Sequence, residues 1–421
     1  QGYASIAVGL SAGQNTQGAN AIAIGQNAAS QSQGSGSVAV GYNAATYTQG
    51  VQAVAVGQGA GNQAQGANAV AIGNAAGNST QGANAVAIGQ TAGQSLQGGN
   101  AVAVGTGAGN LNQGGASIAV GQGSGNQLQG VNAVAIGAYA GYQSQGYNAI
   151  AIGNYAGSTA QGGQSIAIGS DAGKTLQGSN CVAIGQTAGT SAQGVQAVAI
   201  GASAGQVSQG QFAVAVGPSA GVSTQGQYAI AVGYTAGQYG QGGYATAIGY
   251  QAGASAQGVY AIAIGDNAGQ ISQAAYSVAI GDNAGQVSQG QFAVAVGPSA
   301  GVSTQGQYAI AVGRSAGASA QAAEAVAIGD IAGQFAQGAQ AVAIGYQAGR
   351  FSQGVYAIAI GYQAGLSSQS SNSIAINASG TALNPTGTGC FIKPIRGVAA
   401  GKGLNVLYYD PGTFEVLYST N

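Results

Sequence analysis

Apolar and polar positions recur along this chain on a fixed period. The motif of Ala69-Val-Ala-Ile-Gly73 returns every 16 residues between Ser5 and Asn377, in 24 copies without insertion or deletion. Dividing the residue number by 16 gives each residue a phase. Phases five to eight read Ala-Val/Ile-Ala-Val/Ile, and a period of two belongs to a β-strand. A helix does not fit, because glycine at two or three sites in every 16 residues would cost about 1 kcal/mol each. Both faces of the strand are apolar, whereas a strand with one face in water alternates with polar residues. The pattern therefore predicts β-branched side chains filling the inside of a coil, and a flatter alanine face lying against a partner. One 16-residue unit cannot bury a core alone, so neighbours must stack. The expected fold is an all-β parallel solenoid or β-roll of 24 coils over residues 1–384, a rod on the order of 115 Å long at ~4.8 Å per coil.

Other phases are nearly as regular. The first is Gln in all 24 copies, as at Gln17, Gln33, Gln49, Gln65, Gln81 and Gln97. Stacked one above another, these amides could each donate to the carbonyl of the next, a ladder that satisfies buried polar groups. The second phase is Gly except at Ala274, Ala322 and Ser370, which asks for a small residue and not for a positive φ. The ninth is Gly in 23 copies, including Gly9, Gly25, Gly41, Gly57 and Gly73, and Asn377 in the last. Asn is the non-glycine residue that best tolerates left-handed backbone, so a tight turn with φ > 0 is expected there. The twelfth, mostly Ala, marks a second turn with a small inward side chain. The tenth is irregular, from Leu10 and Gln26 to Arg314, and reads as surface. The fourth is polar through Gln196 and then becomes Phe212, Tyr228, Tyr244, Tyr260, Tyr276, Phe292 and Tyr308. Seven consecutive aromatics predict a stacked column, either a stiffening element or a strip that binds sugars or a partner protein.

Composition narrows the function. Charged residues are 3% of the chain, with 6 Lys+Arg, 7 Asp+Glu and no His, for a net charge of −1. Six scattered cations cannot form a phosphate-binding stripe. Acid/base, metal and nucleophilic sites draw on residue types that are nearly missing, so neither an enzyme nor a cofactor is expected. Asp266 and Asp282 stack without a third ligand and read as solvated turn residues. Cys181 and Cys390 have no metal spacing, and Cys181 reads as a small apolar residue where most copies have Ala or Ser. No apolar run approaches the ~18 to 20 residues that span a bilayer. The chain begins at Gln1 and contains no Met, which suggests a processed or partial product. Residues 204–233 and 284–313 are identical, so length grows by whole repeats, as suits a spacer or fibre.

After Pro385 the composition shifts. Five of the 13 charged residues and three of the five prolines fall in residues 385–421, read as a separate module. Its Asp410-Pro-Gly-Thr413 segment between apolar runs signals a β-hairpin. A hairpin is marginal alone, so it is expected to cap the open end of the solenoid or to join chains.

The recurring Asn-Ala-Val-Ala-Ile-Gly core, as at Asn68 to Gly73, Asn84 to Gly89 and Asn132 to Gly137, resembles the head repeats of trimeric autotransporter adhesins and related phage and giant-virus fibre proteins. The resemblance covers roughly residues 1–377. It implies left-handed β-rolls with three chains side by side, although the family repeat is typically 14 residues and this one is 16. Residues Phe391 to Arg396 with Leu407 to Pro411 and Glu415 to Ser419 look like the stretch before self-cleaving intramolecular chaperone domains of viral fibres. The expected function is a non-enzymatic homotrimeric fibre or adhesin on a cell or virion surface, extracellular, able to meet a host glycan or surface receptor or to join end to end into a filament. An ice-binding solenoid is an alternative but lacks a regular exposed Thr-x-Thr ladder, and a polysaccharide-binding fibre using the aromatic column is another.

Overall fold

A computed structural model describes residues 1–395, 407–413 and 415–418. The repeat folds as a parallel β-solenoid of about 24 turns, with no helix among the described residues. One sheet of 25 strands runs its whole length, from Ile6–Val8 to Gly389–Lys393. Each strand pairs with its own copy one coil on, in a register offset of one repeat, as in Ile6↔Ile22 and Val102↔Ile118. The last rung joins Ser373–Asn377 to Gly389–Lys393, so the first strand of the tail extends the sheet of the repeat. Leu407–Asp410 and Glu415–Tyr418 form an antiparallel hairpin. Arg396, Phe414, Ser419 and Asn421 lie outside the described residues.

The facing wall is split into a five-stranded sheet from Thr16–Gln17 to Thr80–Gln81 and a fifteen-stranded sheet from Leu111–Gln113 to Phe335–Gln337. In the first, the Thr16 amide donates to the carbonyl of Gln31 in the following coil. In the second, the Asn112 amide donates to Ser95 in the preceding coil. Leu96, with φ +56°, is where this position turns left-handed. Thr224 and Thr304 adopt the same form, so β-branching at this phase does not decide it.

The direction of the strand side chains reverses the sequence expectation. The seventh phase is Ala in all 24 copies, and from Ala23 to Ala375 these methyls are fully buried. They meet the twelfth-phase alanines in two core clusters, which part where Ser124 takes the twelfth phase. The Val and Ile side chains point out instead, with Ile72 40% and Ile248 39% exposed. Space explains this. A Cβ built on Gly61 would lie 3.3 Å from the Cβ of Ala55 on the opposite wall, so the interior is about one methyl thick. Valine there would overpack.

Two β-turns close each coil. The amide of phase five bonds to the carbonyl of phase two, as in Ala69 to Gly66, and that of phase twelve to phase nine, as in Ala60 to Gly57. The third residue of each turn has positive φ, for example Asn68 (+58°) and Asn27 (+58°). That is the type II pattern, which favours Gly or Asn at the third position and Pro at the second. Pro218 and Pro298 occupy that second position, ahead of Ser219 and Ser299. The ninth-phase glycine itself has φ between +121° and +133° in the coils up to Gly345, a region open essentially to glycine alone. A Cβ at Gly73 would also lie 2.7 Å from the carbonyl oxygen of Gly89.

Asn377 corrects the expectation at that phase. It has no positive φ, ends the strand Ser373–Asn377 and pairs with Lys393. The backbone continues extended because no further full coil follows. Its buried side chain donates to Tyr362 O (2.6 Å) and Thr381 O (2.7 Å) and accepts from the Ser379 amide and hydroxyl.

Candidate functional site

Three side-chain columns run along the rod: an inner column of Gln, an outer one of Val and Ile, and an exposed one at phase four. The inner Gln residues from Gln17 to Gln369 are 1–4% exposed. Gln241 Nε2 shares its hydrogens among Ile230 O (2.7 Å), Ala245 O (3.3 Å) and Gln257 Oε1 (3.1 Å). From Gln177 to Gln369 the amide-to-amide bonds are unbroken. Nearer the N-terminus the column is interrupted. Gln33, Gln49 and Gln65 are linked, as are Gln97 and Gln113, while Gln17 and Gln81 donate only to backbone carbonyls. The Oε1 atoms of Gln17, Gln33, Gln81 and Gln97 have no partner within the chain.

The outer column is two residues wide. Phases six and eight are Val or Ile at 47 of 48 positions, the exception being Thr246. Contiguous exposed apolar surface on this scale marks an interaction face.

At phase four, the rings from Phe212 to Tyr308 stack with centroids 4.8–5.2 Å apart and planes within 5–20°. Tyr228, Tyr244, Tyr260, Tyr276, Phe292 and Tyr308 are 38–51% exposed. Sugars pack on ring faces, yet each inner ring here has both faces covered by its neighbours. Only ring edges and the tyrosine hydroxyls face outward along the column. Further stacks that the sequence reading missed join Tyr139 to Tyr155, Tyr234 to Tyr250, Phe335 to Phe351 and Tyr346 to Tyr362. The legible signal was simply an aromatic repeated 16 residues later.

Reactive chemistry is sparse. Cys181 is fully buried and its thiol donates to Gly194 O at 2.8 Å, much as the neighbouring Ser165 hydroxyl donates to Gly178 O at 2.6 Å. Burial pushes the thiol above its ordinary pKa. Asp266 and Asp282 are exposed, and Asn283 Nδ2 donates to Asp282 at 2.7 Å. Backbone amides of Gly412 and Thr413 hold the Asp410 carboxyl below its usual range. Among the described residues no group of three or more His, Cys, Asp or Glu could hold a metal ion, and no helix is long and apolar enough to cross a membrane.

The sequence model of the YadA head domain repeat, which spans two copies, matches residues 17–44, 32–60, 144–172, 208–236, 241–268 and 288–316. The coils of these segments are similar to YadA head repeats. Matched segments lie on either side of the change at Leu96, and the tail lies beyond them. No curated protein matches the chain.

Proposed function

We infer that this chain is a structural, adhesin-like fibre in which three copies lie side by side through the Val/Ile column, displayed at a cell or virion surface. The observation that carries this reading is the outward column itself. A rod exposing two β-branched residues per coil along its whole length gains by pairing, since burying the 40% of Ile72 that is exposed, and the like on every coil, contributes about 0.5–1 kcal/mol per residue. The YadA-type repeats suggest three as the number of copies. With the interior reduced to methyl groups and amides, most of the large apolar side chains are left for contacts between chains. The first strand of the tail, Gly389–Lys393, continues the end of the sheet, and the separate hairpin beyond it serves as a cap against end-to-end pairing. Tyrosine edges, amides and hydroxyls on the remaining phases make the surface offered to a receptor or glycan.

Native mass spectrometry tests the assembly directly. A trimer resistant to dilution is expected, and I184K/I200K/V216K, which places charges on the outer column at three consecutive coils, should weaken it. A stable, soluble monomer of the unaltered chain would overturn the reading.

A further inference from the structure

A column of identical repeats poses a problem of register. If one chain slides along its neighbours by one coil, Val and Ile are exchanged for Val and Ile, and of 24 coils only one at each end loses its contacts. Apolar pairing that repeats on every rung specifies register weakly.

Thr246 breaks this symmetry. It is the single polar residue among the 48 outward positions of phases six and eight. Its strand, Thr246–Ile248, pairs in register with Ile230–Val232 and Ile262–Ile264, so both neighbours at its own phase are Ile. Thr has the shape of Val, so its coil keeps the form of the others. Its backbone is fully used: the amide donates to Ala261 O at 2.9 Å, and the carbonyl accepts from Gln257 Nε2 at 2.8 Å. Thr246 is half-buried, and its Oγ1 has no hydrogen-bond partner within the described residues.

We propose that Thr246 is the register-setting residue of the assembly, its hydroxyl pairing with the same hydroxyl of the neighbouring copies at one level of the rod. This rests on the side-by-side trimer inferred above. In register, three hydroxyls meet around the axis, each donating to the next. One coil out of register, each faces Ile side chains and is buried unsatisfied, the costly arrangement for a polar group. Isolated polar residues in apolar seams of coiled helices set register in the same way.

The test mixes two full-length chains, the natural one and a mass-tagged T246I chain, which offers no hydroxyl to pair with at any register. After co-refolding, native mass spectrometry should find mixed trimers about tenfold depleted against random assortment. Random assortment overturns the proposal and leaves the trimer intact. Monomers in both samples overturn the trimer reading itself. If T246I does not refold, the conservative T246V answers the same question. V216C and V232C chains, both carrying C390S, should form a mutual disulfide in the T246V background and none with Thr246 present. Equal cross-linking in the two backgrounds overturns the proposal.

Discussion

At the fourth position of the coil, the two halves of the rod solve one problem with different chemistry. Toward the N-terminus the residues are mostly Asn, and exposed amides hydrogen-bond from coil to coil, as in Asn68 to Asn84 to Asn100 at 3.2 Å. Between Phe212 and Tyr308 the same position carries stacked rings. The backbone is the same in both, with φ near +58° at Asn68, Asn84, Tyr244 and Tyr308. Asn adopts this conformation readily, whereas an aromatic residue pays about 1–2 kcal/mol for it. A ring inside the column takes part in two stacks, each contributing about 0.5–1.5 kcal/mol. The two terms nearly cancel, so rings are tolerated at a turn where they are locally disfavoured provided the next coil also supplies one. A solenoid thus selects a surface residue by how well it packs on its own copy.

If the halves share one frame and differ only on their surface, the largest effects must be equal in both. Gly73→Ala and Gly233→Ala should each destabilise the surrounding coils by at least about 3 kcal/mol, because alanine is strained at a φ of +129° or +133° and meets the next carbonyl. Amide hydrogen exchange, read coil by coil, checks this. A loss confined to one half would mean that the frames differ. Replacement of the inner Gln comes next in size, and here the halves should diverge. Gln241→Leu removes bonds to Ile230, Ala245 and Gln257 and leaves the Gln225 amide without its acceptor. Gln81→Leu removes two backbone contacts only. At about 1 kcal/mol per bond, Gln241→Leu should cost about 1–2 kcal/mol more by the same measurement. Equal losses would show that the amide-to-amide bonds add nothing.

Much of this frame is legible in the residues. A 16-residue period without insertions specifies parallel stacking, the coil number and the glycine corners, because every phase must repeat its backbone conformation. The inside of the coil is harder to read. Alternation tells which residues share a face and leaves open which face is buried, and the usual rule that larger apolar residues go inside points the wrong way here. The signal lies in variability: phase seven never departs from Ala, while phases six and eight drift between Val and Ile. A wall about one methyl from its opposite admits no drift. The Asn preference at phase four marked a type II turn, but the later aromatics hid it, since stacking there overrides local preference. Asn377 misled because a side-chain cap and a left-handed corner draw on the same residue type.

The smallest effects bear on the surface itself. Tyr260→Ala keeps the unfavourable backbone and loses the stacks with Tyr244 and Tyr276, an expected cost of about 1–3 kcal/mol. Tyr260→Asn should cost less, because Asn recovers the turn preference. The reciprocal change separates stacking from backbone strain. Asn84→Tyr alone loses its amide bonds with Asn68 and Asn100 and gains no ring partner, so it should destabilise by about 1–2 kcal/mol. In N68Y/N84Y/N100Y each ring has a neighbour, and two stacks offset most of that strain. The triple variant should therefore cost far less than three times the single one, a coupling read from denaturant unfolding of the three single variants and the triple. Strict additivity would mean that rings at this corner stabilise nothing, and that the column from Phe212 to Tyr308 is held by something other than its own repetition.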